Sequence, residues 1–124
     1  MASDTPLIAV VDDDVSVGVG VQRLLSSAGF RVTTFTSGVE FLASIDATPP
    51  DCIVLDVRMP VMNGLDVQSR MHAIGCTRPV ILISAEAEVE QRREALAAGA
   101  FAFLQKPFDG QALIDTIAAA MRGQ

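Results

Sequence analysis

Hydrophobic residues gather along this chain in five short blocks: Leu7–Val11, Arg31–Phe35, Cys52–Leu55, Val80–Ile83 and Ala100–Leu104. Each is too short for a helix and rich in Val, Ile or Phe, so each predicts a strand. The first, third and fourth are apolar throughout, as expected of parallel strands covered on both faces. Between the blocks the apolar residues recur at helical spacing. Val17, Val21, Leu24, Leu25 and Ala28 share one face of a first helix, and Gly29 is its stop signal. Gly18 and Gly20 weaken that helix, each by about 1 kcal/mol relative to Ala. Ser37 is placed to cap a second helix carrying Phe41, Leu42 and Ile45, which Pro49-Pro50 is expected to end. Residues Gly64–Ile74, Ala87–Ala98 and Asp109–Met121 supply three more helices, with Gly75 and Gly99 as stops. Five alternating β-α units predict an α/β fold: one doubly wound, five-stranded parallel sheet with helices on both faces.

At 124 residues, with no repeat, low-complexity tract or long linker, residues 1–124 read as a single domain. The longest apolar runs are a handful of residues, far short of the roughly 20 that cross a bilayer. The opening "MASDTP" lacks the basic start and apolar centre of a secretory signal. Cys52 and Cys76 have no metal-type spacing and read as free thiols in a reducing, cytoplasmic setting. Fifteen acidic against nine basic residues leave a net charge of −6, the wrong sign for a nucleic-acid surface. Neither a membrane nor a nucleic acid is therefore expected as a partner of this domain.

Ligands of open α/β sheets bind beyond the carboxyl ends of the strands. Here the first strand runs into Asp12 and Asp13, the third into Asp56, the fourth into Ser84 and the fifth into Lys106-Pro107. The second ends in Thr34-Phe35-Thr36, as suits an edge strand away from the site. Three carboxylates, a hydroxyl and an amine thus converge on one edge. That set suits phosphoryl transfer with Mg2+, which takes one or two carboxylates plus phosphate oxygens. A second carboxylate can then act as nucleophile toward phosphorus, while the amine and hydroxyl stabilise charge on the phosphoryl oxygens.

The stretches "VVDDD", "VLDVRMPVMNGL", "VILISAEAE" and "ALAAGAFAFLQKPFD" resemble the receiver domain of two-component response regulators. The similarity runs from about Leu7 to the C-terminus, and "RMPVMNGL" with "LQKPF" is most similar to the FixJ-like class. The resemblance implies a flavodoxin-like strand order of 2-1-3-4-5. It implies that Asp56 is the phosphoacceptor, that Asp13 ligates Mg2+ directly and Asp12 through water, and that the Arg58 carbonyl adds a further oxygen. Lys106 is expected to pair with Asp56, Ser84 to hydrogen-bond the phosphoryl group, and Phe103 to turn inward as a switch. Lys106-Pro107 is expected to be cis. The implied partner is a sensor histidine kinase or histidine phosphotransfer protein, docking on the first helix, where "VSVGVGV" offers small apolar residues. Those valines could equally pack inward.

Other residues have plainer readings. Asp14 or Ser16 caps the first helix. A hydroxyl at Ser84 is by default a helix cap, and Phe103 is by default core. His72 has neither the context nor the helical bundle of a phosphorelay histidine, and Arg92-Arg93 reads as a solvated face. Arg58 and Glu86, each two residues beyond a site residue, are expected to approach each other across the site mouth. Ala119 and Ala120 are expected to be exposed on the last helix, and a weak phosphorylation-dependent homodimer is expected through the fourth helix and fifth strand. A Mg2+ phosphatase with an aspartyl intermediate would want a second Asp two residues after the nucleophile, where this chain has Arg58. A flavin-binding domain would want a phosphate loop where "DDDVS" stands. A degenerate scaffold would not fill every position of the set. The end of the sequence, "AAAMRGQ", suits both a stand-alone receiver and one followed by an output domain.

Overall fold

The computed structural model describes residues 5–85 and 89–123, at 89 and 90 through the backbone alone. Strands and helices alternate along the chain: β1 Leu7–Val11, α1 Val15–Ser27, β2 Arg31–Phe35, α2 Gly38–Ser44, β3 Cys52–Asp56, α3 Gly64–Ala73, β4 Val80–Ser84, α4 Val89–Ala97, β5 Ala102–Gln105 and α5 Gly110–Arg122. The five strands form one sheet in the order β2-β1-β3-β4-β5, every pair parallel. Every position of β3 and β4 is buried, while the edge strand β2 leaves Arg31 and Thr34 exposed.

Because side chains alternate across a strand, the sheet separates two cores. Ala9, Val11, Ile53, Leu55, Leu82 and Phe103 pack with Phe41 of α2, Val67 and Met71 of α3 and Ala95 of α4. Ile8, Val10, Cys52, Val54, Ile81 and Ile83 pack with Val21 and Leu25 of α1 and Leu113, Ile117 and Ala120 of α5.

The ends of the elements have identifiable causes. Asp14, not Ser16, caps α1, accepting from the Ser16 and Val17 amides at 2.9 and 3.3 Å. Ser37 caps α2 as expected, and Asn63 and Asp66 form a reciprocal capping box on α3. The glycines read as stops, Gly29, Gly75 and Gly99, all adopt positive φ. Helix α2 ends at Ser44, before Pro49-Pro50 is reached. There the Ser44 hydroxyl donates to the Phe41 carbonyl at 2.8 Å, and the Ile45 amide reaches only to Leu42. Strand β5 begins at Ala102 rather than Ala100, because the Ala100 amide closes the end of α4 on the Ala95 carbonyl. Ala28 lies exposed as the C-cap of α1, off the buried face assigned to it. The expected exposure of the last helix is also corrected: Ala120 is buried and Ala119 half-buried. Ala120 continues the i, i+4, i+7 stripe of Leu113 and Ile117.

Three glycines are open to a direct test of packing. A Cβ at Gly18 or Gly20 would meet nothing within 4 Å. Gly18→Ala and Gly20→Ala should therefore each stabilise the fold by about 1 kcal/mol. At Gly64 a Cβ would lie 2.6 Å from the Asp56 carbonyl oxygen and 2.9 Å from the Val57 Cα. Gly64→Ala should destabilise by about 1–3 kcal/mol. Urea unfolding followed by far-UV circular dichroism reads all three.

Candidate functional site

The carboxyl edge of the sheet is built from strand ends that continue the ladder by one residue. The Asp12 amide bonds the Phe35 carbonyl, the Val57 amide the Ile83 carbonyl, and the Lys106 amide the Ser84 carbonyl at 2.7 Å. These bonds fix the backbone from which Asp12, Asp13, Asp56, Ser84 and Lys106 project. One carboxylate oxygen from each of Asp12, Asp13 and Asp56 lies within 4.8 Å of the others. Asp12 and Asp56 are buried and Asp13 is exposed at the rim. A set of hard oxygen donors this close together fits a small dication such as Mg2+.

Lys106 reaches this cluster from the far side of β4. Its Nζ lies 3.0 Å from Asp12 Oδ2 and 3.5 Å from Asp56 Oδ1. The expected pair with Asp56 is present, and a closer one, to Asp12, accompanies it. Asp12 is the more deeply buried charge, and its other oxygen already accepts from the Asp14 amide at 2.9 Å. Burial raises the Asp56 carboxyl, the Asp12 charge raises it further, and Lys106 offsets part of this, leaving it at about 6. Burial alone would lower the Lys106 amine, but its hydrogen bond to Asp12 and the charges of Asp56 and Asp12 outweigh this and hold it above the ordinary range.

The remaining predicted positions fall around this centre. Ser84 ends β4 and is fully buried. Phe103 is buried next to it, its strand position opposite Leu82. Lys106-Pro107 is cis. Arg58 lies exposed on the loop after β3; its expected neighbour Glu86, with Ala87 and Glu88, falls outside the described residues. His72 is exposed near the end of α3, away from this edge. Cys52 and Cys76 are free thiols, and burial pushes the Cys52 thiol up to about 12. Along α1, Val15 and Val19 face outward while Val21 is buried, so the valine run is divided between both readings.

Two features had no counterpart in the sequence reading. Val61 adopts φ 68, with its turn closed by the Met62 amide on the Pro60 carbonyl at 2.7 Å, and its side chain is 97 % exposed. That conformation is costly for a β-branched residue, and it stands between Met59, buried in the core, and half-buried Met62. Gln68 is the other: it occupies a core position of α3, and its amide donates to the Ala95 carbonyl of α4 at 3.2 Å. Its signal lay in the spacing, since Gly64, Val67, Gln68 and Met71 form one buried stripe.

Comparison with known proteins agrees with this geometry. The family model described as the response regulator receiver domain matches residues 8–118. The response regulator protein TmoT of Ectopseudomonas mendocina is 37 % identical over 122 residues, covering 98 % of this chain and 56 % of its own length. A response regulator receiver protein from Burkholderia phymatum superposes with a TM-score of 0.83 at 48 % identity, covering 95 % of this chain and 96 % of that one. The FixJ-N structure superposes with a TM-score of 0.91 at 29 % identity, covering 98 % and 97 %. The chain spans about half the length of the curated relatives it matches. No helix among the described residues is long and apolar enough to cross a membrane.

The raised Asp56 carboxyl has a thermodynamic consequence. With a folded value near 6 against an unfolded one of 3.8, the folded state holds this proton more tightly. The Asp56 contribution is therefore most favourable below about pH 4 and is lost as pH rises through about 6. Asp56→Asn should abolish that part of the pH dependence, so the stability gap between variant and wild type should widen in the variant's favour from pH 4 to pH 7. Urea unfolding of both proteins across that range, in metal-free buffer, checks it.

Proposed function

This chain belongs to the response regulator receiver family, and from that premise we propose that it is a phosphorylation switch whose acceptor is Asp56. The observation that carries this reading is the convergence of the Asp12, Asp13 and Asp56 carboxylates around the Lys106 ammonium. In the proposed reaction a carboxylate oxygen of Asp56 forms a bond to phosphorus as the bond from phosphorus to a donor histidine nitrogen breaks. The products are an aspartyl phosphate and a neutral imidazole. Hydrolysis returns the carboxylate and releases inorganic phosphate.

Asp12, Asp13 and Asp56, with the Arg58 carbonyl, are the proposed holders of Mg2+. When bound, the cation neutralises the clustered acids and the charge on the phosphoryl oxygens. Lys106 holds Asp12 and Asp56 in place and is positioned to pair with the phosphoryl group. Ser84 supplies a hydroxyl at the end of β4, and Phe103 and Pro107 belong to the segment that responds. The phosphoryl group can favour an altered state only through contacts that are better there.

The donor is a histidine kinase or histidine phosphotransfer protein, and the outward-facing Val15 and Val19 of α1 support docking beside the site. Exposed Leu96 on α4 and Phe101 before β5 support a weak homodimer through that face in the phosphorylated state. We place the domain in the cytoplasm, and its net charge of −6 argues against nucleic-acid binding by this domain itself. A phosphatase reading is disfavoured because Arg58 stands where a second acid would be needed.

Incubation with Mg2+ and acetyl phosphate, followed by intact mass measurement, should add one phosphoryl group to wild type and none to Asp56→Asn. Addition to neither or to both would remove Asp56 as acceptor, and sedimentation velocity on the same samples reads the dimer. Mg2+ should also raise the melting temperature of wild type by binding the folded state. Asp13→Asn should be at least as stable as wild type without metal and should lose the Mg2+ response. A loss of metal-free stability would make Asp13 structural instead.

A further inference from the structure

Helix α4 is held differently from the other four. Among its described side chains, residues 91–97, only Ala95 is fully buried; Arg92, Arg93, Glu94, Leu96 and Ala97 are exposed. Among those described side chains the buried apolar anchor is a single methyl group, a small one. A polar attachment accompanies it. Gln68 Nε2 of α3 donates to the Ala95 carbonyl at 3.2 Å, and the same carbonyl accepts the Ala100 amide that closes the helix at 3.0 Å. Both bonds grip the C-terminal turn.

The attachment is also incomplete. Gln68 Oε1 and Gln91 Oε1 are buried without a hydrogen-bond partner, and among the described residues they are the side-chain atoms in that condition. They belong to two facing helices, Gln91 lying one turn before Ala95. An unsatisfied buried oxygen is a standing cost that an apolar side chain of the same shape would avoid. Open space accompanies it. An open surface depression of about 460 Å³ lies where Gln91 meets Val57, Arg58, Met59, Pro60 and Asn63 of the site loop. Another of about 290 Å³ runs between α3 and α4, where Leu65, Gln68 and His72 face Glu94 and Ala98.

We propose that Gln68 is the positioning residue of α4, a tether at its C-terminal turn about which the first turn, next to the site loop, changes register. This rests on the switch reading above and names the residue that sets how readily α4 responds. The half-satisfied amide suits that task. Its one hydrogen bond gives α4 a defined place at little net stability, so a second arrangement costs little to reach.

Gln68→Met keeps the shape, removes the bond and removes the orphaned oxygen; Gln68→Leu serves as a second variant should the first not fold. Hydrogen exchange of metal-free protein is the first readout. The amides of α4 should exchange about fivefold faster, the factor expected for one net hydrogen bond, while α3 and β3 stay unchanged and the melting temperature is retained or rises. The second readout is binding of beryllium fluoride with Mg2+, a phosphoryl mimic on carboxylates. It should bind the variant more tightly, by about the same factor, because less is spent in reaching the competent state. Unchanged α4 exchange would show that Gln68 is no tether. A uniform rise across all elements would make it a plain core residue, and faster α4 exchange with unchanged affinity would uncouple the tether from the site. Should wild type fail to bind beryllium fluoride at all, the switch reading falls, while the exchange data still decide the tether.

Discussion

One ammonium group, held between two buried carboxylates, is the constraint on which the carboxyl edge of this sheet depends. Two like charges about 4 Å apart repel by about 4 kcal/mol at an effective dielectric of 20, and Asp12 and Asp56 have almost no access to water. Lys106 meets both, at 3.0 and 3.5 Å, from the end of β5. To do so it reaches past β4, and its own amide is bonded to the Ser84 carbonyl at the end of that strand. Strand order, strand length and the position of the lysine are thus one requirement. Shortening β5 or shifting its register on β4 would leave two buried acids without their counter-charge.

The layered architecture was legible because its physics is local. Leu7–Val11, Cys52–Leu55 and Val80–Ile83 announce themselves as doubly covered strands, and Asp14, Ser37 and Gly29 mark helix boundaries by chemistry that acts within four residues. The identities of the site acids were legible for a related reason, since strand ends in a parallel sheet must converge. What escaped was decided at longer range. That Lys106 lies closer to Asp12 than to Asp56 is a matter of tertiary geometry, which spacing does not carry. That Ala120 turns inward follows from where α5 lies on the sheet. Helix α2 stops early through a serine hydroxyl bonded to its own preceding turn, a choice the prolines downstream concealed. Val61 in a left-handed conformation is illegible in the sequence, because nothing in a valine asks for it.

Helices α3 and α4 show how differently two neighbours can be attached. Helix α3 starts with Gly64 pressed against the Asp56 carbonyl, its amide on the Val57 carbonyl at 2.8 Å and a capping box closing the turn. Val67 and Met71 then fix it to the core. Helix α4, by contrast, buries only the Ala95 methyl among its described side chains and receives a side-chain amide from α3. The same strand-to-helix crossover therefore produces one element whose first turn is pressed onto the acid-bearing strand and one gripped at its last turn.

The sheet itself acts as a bulkhead. Ser84 follows Val80 and Leu82 at two-residue intervals on β4, so its side chain lies on the face shared with α2, α3, α4 and Phe103. The compartment of α1 and α5 is packed against the opposite face, through Ile81, Ile83 and Val54. A rearrangement that begins at the Ser84 hydroxyl meets side chains in one compartment and only backbone on the way to the other. The two side-chain compartments meet across a single layer of hydrogen-bonded strands. Side chains under α1 and side chains under α4 belong to different cores, so substitutions in the two should act on the fold additively.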